Sequence, residues 1–335
     1  MTNNLYINMK AILSKTSSPY INLATEEYLL KNSTDEILFL YRNDKSLIIG
    51  KHQNSNLEIN VELQHKLNIP IVRRLSGGGT VFHDLGNINF CFITNEAHQR
   101  QVNFEKYAQP IQEALRKLGV EISIGKRHEF LVDGKKISGN ASHIWKNRVI
   151  HHGTLLYNSD TNLLLELLKI NRNKYIDKSV KSVTSEVITI KEACKLTDDV
   201  ETFTQKLLSE ISLILNAEIS MNYLDSFEEE INAIANTKFK SWEWNYGYNP
   251  SYLFNKTLSL SNNQELKISF NVDKGIISNV NFEIDNNVPN EIRELLKEII
   301  HGKMHSIEIL SEQIDNYKES LIKYISPRKL IEELF

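Results

Sequence analysis

The sequence predicts a protein of the α/β (α+β) class, with a mixed sheet flanked by helices and a small α+β domain at the C-terminal end. Over the first two thirds of the chain, short apolar runs rich in β-branched residues alternate with helical patterns. The last third contains runs in which polar and apolar residues alternate, joined by turns with Asn or Gly. The length of 335 residues exceeds what one hydrophobic core usually fills, which favours two domains.

The N-terminal part is predicted to begin with a helix and to continue with short strands. The stretch NLATEEYLLKN starts at Asn22, a residue type that caps helices, and its helical spacing ends at Asn32 and Ser33. The runs EILFLYR, SLIIG, IPIVR and INFCFI have the composition and length of strands, and VELQHKL between them has helical spacing. This region therefore predicts a mixed sheet with helices.

A further helix is predicted from Phe104 to Leu118, where apolar residues recur every three or four positions before Gly119. The segments VEISIG, EFLVDGKKISG and VIHHGTLLYN follow with strand-like composition. Asp133 and Gly134 form a hairpin-type turn signal between two of these runs. We expect these segments to be antiparallel strands.

The middle of the chain, residues 160 to 216, is predicted to be mainly helical, with an irregular polar loop from Asn171 to Glu186. Aromatic residues, a glycine and a proline crowd into SWEWNYGYNPSY, which predicts a tightly packed connection. The predicted large N-terminal domain therefore spans residues 1–247. A connection over residues 248–253 leads to a small accessory domain of residues 254–335.

Three strands and two helices are predicted in the accessory domain. KTLSL, ELKISFNV and IISNVNFEI alternate polar and apolar residues and are separated by turns at Asn262 and Asn263 and at residues 273–275. Helical spacing follows over residues 290–300 and 308–324. This order of elements predicts a small α+β unit.

Composition and charge disfavour several classes of protein. Hydrophobic residues at 41% and charged residues at 24% are typical of a folded globular chain. The net charge of -3, from 39 basic and 42 acidic residues, gives no sign of a nucleic-acid or anionic-membrane partner. The N-terminus lacks the pattern of a signal peptide, and no apolar run approaches the roughly 18 residues needed to cross a bilayer. We therefore expect a cytoplasmic protein that binds neither nucleic acid nor membrane.

The densest chemical signal is the segment RRLSGGGTVFHDLGN, which follows a predicted strand. Its three consecutive glycines, residues 77–79, let the backbone approach a ligand and direct amide groups at anionic oxygens. Arg73 and Arg74 supply planar donors for a carboxylate or a phosphate. The alternative explanation is a flexible surface turn, but the two adjacent arginines make it less favoured. The segment lacks the Walker A and dinucleotide-binding spacings, so kinases and dehydrogenases are disfavoured.

A lysine pair marks the second candidate segment, GKKISGNAS. A partly buried lysine beside an acyl phosphate stabilises the charge that develops in the transition state. From spacing alone, solvated residues of a hairpin turn are the simpler explanation for Lys135 and Lys136. The pattern by itself leaves both alternatives open.

Adjacent histidines in VIHHGTLLYN form the third signal. Neighbouring side chains on a strand point to opposite faces, so His151 and His152 are not expected to chelate one metal ion. One of them is expected to face the site, although a hydrogen-bonded structural histidine is the more common explanation for either.

In this order and spacing, RRLSGGGTVFHDLGN, KKISGNA and HHGTLL resemble the lipoate-protein ligase A family. NLATEEYLL resembles its opening helix, YRNDKSLIIGKHQN its second strand pair and SWEWNYG its interdomain connection, so the resemblance covers nearly the whole chain. It implies the biotin/lipoate-protein ligase catalytic core, a fold shared with biotin ligases and related to class II aminoacyl-tRNA synthetases.

The resemblance also implies roles for individual residues. Lys136 resembles the family's catalytic lysine, which contacts both lipoate and ATP. The residues implied for ATP and adenylate binding are Arg74, Gly79, Thr80, Val81, Phe82 and Lys136. Those implied for lipoate binding are Ser76, Gly77, Gly78, His83, Asn87, Lys136, Gly139, Ala141 and His152. The stretch from Asn171 to Glu186 resembles the loop that closes over the adenylate.

The chemistry implied by the resemblance has two steps. The carboxylate of lipoate attacks the α-phosphate of ATP and pyrophosphate leaves; an acceptor lysine then takes the lipoyl group from the adenylate and AMP leaves. The implied cofactors are ATP and Mg2+, with lipoate as the substrate. The implied partners are apo lipoyl-domain proteins, namely the E2 subunits of 2-oxoacid dehydrogenases and the glycine cleavage H protein.

The chain departs from the family pattern at two places. Where the family reads Gly, Arg, Asn, Asp, this chain has KRHEF, so that His128 replaces the amide and Glu129 would have to replace the aspartate near Mg2+. The segment SVTSEV, residues 182–187, lacks the arginines usual in the adenylate-binding loop. Both changes bear on how the adenylate is held and on substrate preference.

Three other functions compete with the ligase. An octanoyltransferase of the same superfamily would need a cysteine nucleophile, but Cys91 lies in an apolar run and Cys194 in a helical one. Two cysteines are also too few for a disulfide framework or a zinc site built from cysteines, and they fit a reducing compartment. A biotin ligase has a different glycine-rich signature. A module that binds lipoate or lipoyl domains without catalysis is disfavoured, because the glycine loop and Lys136 are both present.

Overall fold

The computed structural model describes residues 9–96, 102–169, 174–183, 185–283 and 288–335. These residues form two compact units. The first is built from described residues within Met1–Lys51, Pro70–Leu165 and Ser182–Ser241. The second is built from those within His52–Ile69, Glu166–Lys181 and Trp242–Phe335.

Strands and helices are numbered along the chain. The strands are β1 (Lys10–Leu13), β2 (Ile37–Tyr41), β3 (Ser46–Ile49), β4 (Ile71–Arg73), β5 (Val81–His83), β6 (Asn87–Asn95), β7 (Ser123–Ile124), β8 (Phe130–Val132), β9 (Lys135–Lys136), β10 (Asn140–Trp145), β11 (Arg148–Leu156), β12 (Tyr175–Asp177), β13 (Glu218–Ile219), β14 (Tyr252–Ser259), β15 (Glu265–Asp273) and β16 (Ile276–Phe282). The α-helices are α1 (Pro19–Asn32), α2 (Val61–Lys66), α3 (Phe104–Lys117), α4 (Thr161–Leu167), α5 (Ile190–Ala193), α6 (Val200–Leu215), α7 (Glu228–Ile234), α8 (Asn290–Ile300), α9 (Ile307–Asn316), α10 (Lys318–Leu321) and α11 (Pro327–Leu334).

A mixed sheet forms the centre of the first unit. Among the described residues it has six strands in the order β10-β11-β6-β2-β1-β13. β2, β6, β11 and β10 pair antiparallel in succession, whereas β1 pairs parallel with β2 and with β13. Every residue of β2 and β11 is buried, as expected for strands covered on both faces. The predicted mixed sheet is therefore confirmed.

Helices cover both faces of this sheet. On one face, α3 and α6 pack against the strands through a core that includes Leu115, Leu207 and Phe90. On the other face, α1 lies against β6 and β11, and its Glu26 contacts His152. The two smaller sheets of this unit, β4-β3-β5 and β7-β8-β9, carry the loops that matter for the site.

Helix α1 begins earlier than the sequence pattern indicates. The prediction that Asn22 caps it is wrong. The Ser18 hydroxyl accepts the amide of Ile21, and Pro19 occupies the first helical position, where its missing N–H costs nothing. Asn22 instead lies buried within the helix and donates to Asn43 Oδ1 at 2.8 Å.

Two further local predictions are confirmed. Helix α3 runs over Phe104–Lys117, and Gly119 follows it with a φ of +82°, a conformation typical of helix ends. Asp133 and Gly134 have φ values of 49° and 76° and join the antiparallel strands β8 and β9, as a two-residue hairpin turn requires.

The second unit packs helices on one antiparallel sheet. Its strands lie in the order β12-β14-β15-β16, and its core includes Phe254, Phe270 and Leu296. Two segments from the N-terminal two thirds of the chain belong to it. Residue Leu57 joins the core, and Tyr175 in β12 pairs with Phe254 in β14. The accessory domain expected from the sequence, residues 254–335, does not contain these two earlier segments.

Several elements differ from the sequence patterns. The predicted helix over 308–324 is interrupted at Tyr317, between α9 and α10. Helix α11 was not predicted, although Ser326 and Pro327 are a helix-start signal. Of the predicted loop from Asn171 to Glu186, residues 171–173 and 184 lie outside the described residues, and the rest contains β12. In the part of the chain that the structure describes, no helix is both long and apolar enough to cross a membrane.

Candidate active site

The glycine loop between β4 and β5 is folded around the side chain of Arg74. The guanidinium Nη2 donates to Gly77 O at 2.6 Å and to Gly79 O at 2.7 Å. Nη1 donates to Ile48 O at 3.0 Å, and Nε donates to Ser76 Oγ at 3.0 Å. Four hydrogen bonds from one planar group therefore fix the shape of the loop.

Both predicted arginines are buried. Burial lowers the pKa of Arg74 to about 10, and the nearby carboxylate of Glu26 opposes this shift. Arg73 is fully buried and donates to Gly50 O at 3.0 Å. The two guanidinium groups thus bind the loop and the C-terminal end of β3, and neither is a solvated surface donor.

Glycine is required at two positions of this arrangement. A Cβ on Gly50 would lie 2.2 Å from Gly78 O, a distance at which backbone would have to move. Gly78 itself has a φ of +89°, in the region that favours glycine. Gly78 also brings the loop next to β10, because a Cβ there would lie 4.0 Å from the Ala141 Cβ.

A buried hydrogen-bond chain links the loop to helix α1. Ser76 Oγ lies 2.6 Å from His152 Nε2, and His152 Nδ1 lies 2.9 Å from Glu26 Oε2. Tyr41 donates its hydroxyl to Glu26 Oε1 at 2.9 Å. Because the carboxylate accepts from Nδ1, a neutral His152 presents Nε2 as an acceptor for the Ser76 hydroxyl. The chain fixes the ring orientation of His152 and the position of Ser76.

His83 and Asn87 place two unused polar atoms in the same buried region. Asn22 donates to Asn43 Oδ1, so Asn43 Nδ2 donates to His83 Nδ1 at 2.9 Å. The pKa of His83 is lowered to about 3 by burial and by the positive charge of Arg74, which keeps the ring neutral with its proton on Nε2. Within the described residues, His83 Nε2 and Asn87 Oδ1 are buried without a hydrogen-bond partner. A bound ligand or water can therefore use one donor and one acceptor here.

The lysine pair on β9 divides into one exposed and one half-buried side chain. Lys135 Nζ pairs with Glu186 at 2.9 Å on the surface. Lys136 lies over Gly139, where a Cβ would be 3.7 Å from its Nζ. Its ammonium makes no hydrogen bond or ion pair with any residue that the structure describes. Burial, followed by the charge of Arg127, lowers the pKa of Lys136.

The segment after residue 181 lies against both the glycine loop and β9. Ser182 Oγ accepts the amide of Thr80 at 2.9 Å. The amide of Lys136 donates to Glu186 O at 2.9 Å. Arg127 donates from Nη2 to Ser185 Oγ at 3.1 Å. The segment that lacks the family's usual arginines is therefore contacted by an arginine from another part of the chain.

Glu129 was the predicted metal ligand. Its Oε2 accepts the amide of Arg127 at 2.7 Å, and its Oε1 lies 3.6 Å from the Arg127 guanidinium. Over the described ranges, no group of three or more His, Cys, Asp or Glu side chains is arranged to hold a metal ion. The Glu129 carboxylate is compatible with an ion such as Mg2+, which commonly takes most of its ligands from phosphates and water.

The predicted residues fall into three groups. The first group is held together by the glycine loop, by the hydrogen bonds of the loop and by its approach to β10. Its members are Ser76, Gly77, Gly78, Gly79, Thr80, Ala141 and His152. Lys136 and Gly139 form a second group, and His83 with Asn87 a third. Val81 and Phe82 lie in β5, and the Phe82 side chain is fully buried beside Leu47, so only its backbone is available to a ligand.

Sequence reasoning did not identify Glu26, Tyr41 or Arg127 as site residues. A signal for Glu26 exists, since Leu23, Glu26 and Leu30 share helical spacing and a glutamate on an apolar face is unusual. The predicted absence of an activated cysteine agrees with the structure. Burial raises the pKa of Cys91 well above its usual range and also raises that of Cys194.

Comparison with known proteins extends these observations. Residues 18–212 match the family model of the lipoyl protein ligase A/B catalytic domain. The chain is 37% identical to lipoate-protein ligase 1 of Staphylococcus aureus over 303 residues, which cover 90% of this chain and 92% of that protein. The crystal structure of LipL1 from P. falciparum in complex with lipoate is similar at a TM-score of 0.63 and 26% identity, covering 97% of this chain and 100% of that one. The fold is also similar to that of a bipartite lipoate protein ligase from Thermoplasma acidophilum, studied with its E2 lipoyl domain, at a TM-score of 0.63 and 23% identity over 72% of this chain and 98% of that one.

Proposed function

Because the chain belongs to the lipoyl protein ligase A/B family and is a lipoate-protein ligase, we propose that its reaction takes place between the glycine loop and Lys136. The observation that carries this proposal is the half-buried ammonium of Lys136, which has no hydrogen-bond or ion-pair partner in the described part of the chain. A buried cation without a partner is unfavourable unless a ligand supplies the counter-charge. The ligand proposed here is the acyl phosphate of the lipoyl adenylate.

Electrostatics support an anionic ligand next to Lys136. The charges of Arg127 and Arg74 both lower the pKa of Lys136, after the larger effect of burial. Glu129 opposes this effect only in part. A triphosphate or an adenylate relieves the mutual repulsion of the three cations, so binding of ATP is favoured at this point. The backbone of residues 79–82 is proposed to hold the same nucleotide.

The lipoate end of the site is proposed to lie on the α1 face of the main sheet. The buried donor His83 Nε2–H and the buried acceptor Asn87 Oδ1 are available there. Ser76 and His152 are held in place by Glu26 on the same face. The residues proposed to line this part of the site are Ser76, Gly77, Gly78, His83, Asn87, Gly139, Ala141 and His152.

The proposed reaction proceeds in two displacements. A lipoate carboxylate oxygen bonds to the α-phosphorus of ATP. The bond between that phosphorus and the oxygen bridging the α- and β-phosphates breaks, and pyrophosphate leaves. The neutral ε-amine of an acceptor lysine then bonds to the acyl carbon, the acyl–phosphate bond breaks, AMP leaves, and the nitrogen loses a proton. Lys136 stabilises the charge that develops on the phosphate and acyl oxygens, and the Arg74-ordered loop holds the reactants in line.

Magnesium and the acceptor complete the proposal. Mg2+ bound with the phosphates would offset the charge of the leaving pyrophosphate. Glu129 is the carboxylate that we propose as its protein ligand. The proposed acceptors are lipoyl-domain proteins, the E2 subunits of 2-oxoacid dehydrogenases and the glycine cleavage H protein. We place the reaction in the cytoplasm, because both cysteines are unpaired thiols, as is usual in a reducing compartment.

The function is tested with purified protein, labelled pyrophosphate and ATP. Lipoate is expected to support exchange of the label into ATP, biotin is expected to give none, and a purified apo lipoyl domain is expected to become lipoylated. Lipoylation without exchange would identify a transferase. Binding of lipoate with neither exchange nor lipoylation would identify a non-catalytic module.

A further inference from the structure

Strand β10 lies at the edge of the main sheet and pairs with β11 alone among the described residues. Thr154 N donates to Gly139 O at 3.0 Å, which fixes the phase of this antiparallel ladder. Since alternate residues direct both backbone polar groups to the partner strand, residues 141, 143 and 145 face β11. The N–H and C=O groups of Asn140, Ser142 and Ile144 therefore point away from the sheet.

The outer edge of β10 carries few of the features that protect an edge strand. Protected edges commonly carry lysine or proline, or are interrupted by a bulge. The sequence of β10, NASHIW, contains neither residue type, and its register with β11 is regular through six consecutive pairs. At its far end Ile144 and Trp145 are each 37% exposed. This edge is suited to pairing with a further strand.

One end of β10 lies at the proposed reaction site. Gly139, which precedes the strand, lies beneath Lys136, and Ala141 lies beside Gly78 of the glycine loop. At about 3.4 Å per residue, six residues extend roughly 20 Å away from this point. A strand added along the edge would run directly to the reaction site.

The surroundings of the edge are basic, although the chain as a whole carries a net charge of -3. Lys31 Nζ lies 4.7 Å from the centre of the Trp145 ring, and Lys146 Nζ lies 5.9 Å from it. The pKa of His143 is lowered by burial and then by Lys51, which therefore lies close to the strand as well. Glu27 near this edge is largely buried and is paired with Lys31.

We propose that the outer edge of β10 pairs with an extended, acidic strand of the acceptor domain, next to the lysine that receives the lipoyl group. This inference rests on the proposed function and specifies how the acceptor is recognised. Backbone hydrogen bonds to the amides of Ser142 and Ile144 provide affinity and direct the acceptor lysine to the reaction site. The surrounding lysines select an acidic strand.

The test is a proline substitution at an outward-facing amide. Ile144→Pro removes an N–H for which the described residues provide no partner. Proline is tolerated on edge strands where the N–H faces away from the sheet, so we expect the variant to fold. The matched control, Ile144→Ala, keeps the amide and shortens the side chain. Proline is expected to raise the KM for a purified apo lipoyl domain about tenfold or more. Lipoate-dependent pyrophosphate exchange and lipoyl transfer to hydroxylamine are expected to stay within about twofold in both variants.

Hydrogen exchange of the unaltered protein provides a measurement that does not depend on a variant. The amides of Ser142 and Ile144 are expected to exchange more slowly when the acceptor binds. An acceptor KM that Ile144→Pro leaves unchanged, or amides that gain no protection when the acceptor binds, would overturn the pairing of the β10 edge. The proposed function would still stand if the unaltered protein catalysed both pyrophosphate exchange and lipoylation. Absence of lipoate-dependent exchange in the unaltered protein would overturn both.

Charge selection is tested separately with Lys146→Glu. This exposed turn residue contacts the Trp145 ring and lies outside the reaction site. The charge reversal is expected to raise the acceptor KM several-fold at low salt, with a difference that shrinks as salt screens the interaction. The same KM as the unaltered protein at every salt concentration would show that the acceptor strand is not selected by charge.

Discussion

At the scale of single residues, Glu26 contacts several residues of the site, although it was not predicted as a site residue from the sequence. It accepts hydrogen bonds from Tyr41 and His152, and its charge opposes the lowered pKa of Arg74. The adjacent Glu27 has a different role, since it pairs with Lys31 and Lys238. The two neighbouring glutamates therefore form a natural pair of test and control.

Glu26→Gln is predicted to slow lipoate-dependent pyrophosphate exchange about 10- to 100-fold. The change preserves size but removes the charge that orients His152 and compensates Arg74. Loss of one buried partner is also expected to lower the free energy of unfolding by about 1–3 kcal/mol. Steady-state exchange and urea unfolding measure both effects. Equal behaviour of Glu26→Gln and Glu27→Gln would contradict the assigned role.

The sequence predicts Ser76, His152 and Lys136 as site residues through the family resemblance, but it does not predict what positions them. The contacts of Glu26 with His152 depend on the packing of α1 against β11, which has no local signal. Arg127 reaches Ser185 across a separation of 58 positions. Long-range pairs of this kind follow from sheet topology, so a single sequence cannot indicate them.

At the scale of elements, the glycine loop approaches the end of β3 closely because Gly50 has no side chain to separate the two backbones. Gly50→Ala is predicted to destabilise the protein by about 1–3 kcal/mol, because its Cβ would lie 2.2 Å from Gly78 O and would displace the loop. Gly77→Ala meets no atom within 4 Å and is predicted to change the free energy of unfolding by no more than about 0.5 kcal/mol. Urea unfolding of both variants makes the comparison. Equal stability of the two variants would contradict the close approach.

Elements with strong periodic patterns are predicted well from the sequence. Helix α3 and the β8–β9 turn have local signals that determine them, namely an apolar stripe and an Asp–Gly pair. Strand β12 is missed because it has only three residues and is held by pairing with β14, more than 70 positions away. Helix α11 was not predicted, although it too has a local start signal, because Ser326 caps it and Pro327 begins it.

At the scale of the whole molecule, three buried histidines make the fold sensitive to acid. Burial lowers the pKa of His83 and of His151 to about 3 and that of His305 to about 4. The unfolded chain binds protons at these residues below about pH 6.5, whereas the folded protein does not. Acid therefore favours unfolding from about pH 6.5 down to about pH 4.

Each of these histidines is predicted to cost about 1.4 kcal/mol of stability per pH unit over most of that range. Urea unfolding between pH 6.5 and pH 5 measures the slope before most carboxylates titrate. A free energy of unfolding that stays constant over this range would show that the buried rings take up protons in the folded state.

The central claim, that Lys136 stabilises the adenylate, is tested most directly by lipoate-dependent exchange of labelled pyrophosphate into ATP. The neighbouring Lys135, exposed and paired with Glu186, supplies the matched control. The account predicts that Lys136→Ala lowers the exchange rate about 100-fold or more, and that Lys135→Ala leaves it within about twofold. Exchange by Lys136→Ala at the rate of the unaltered protein would contradict the account.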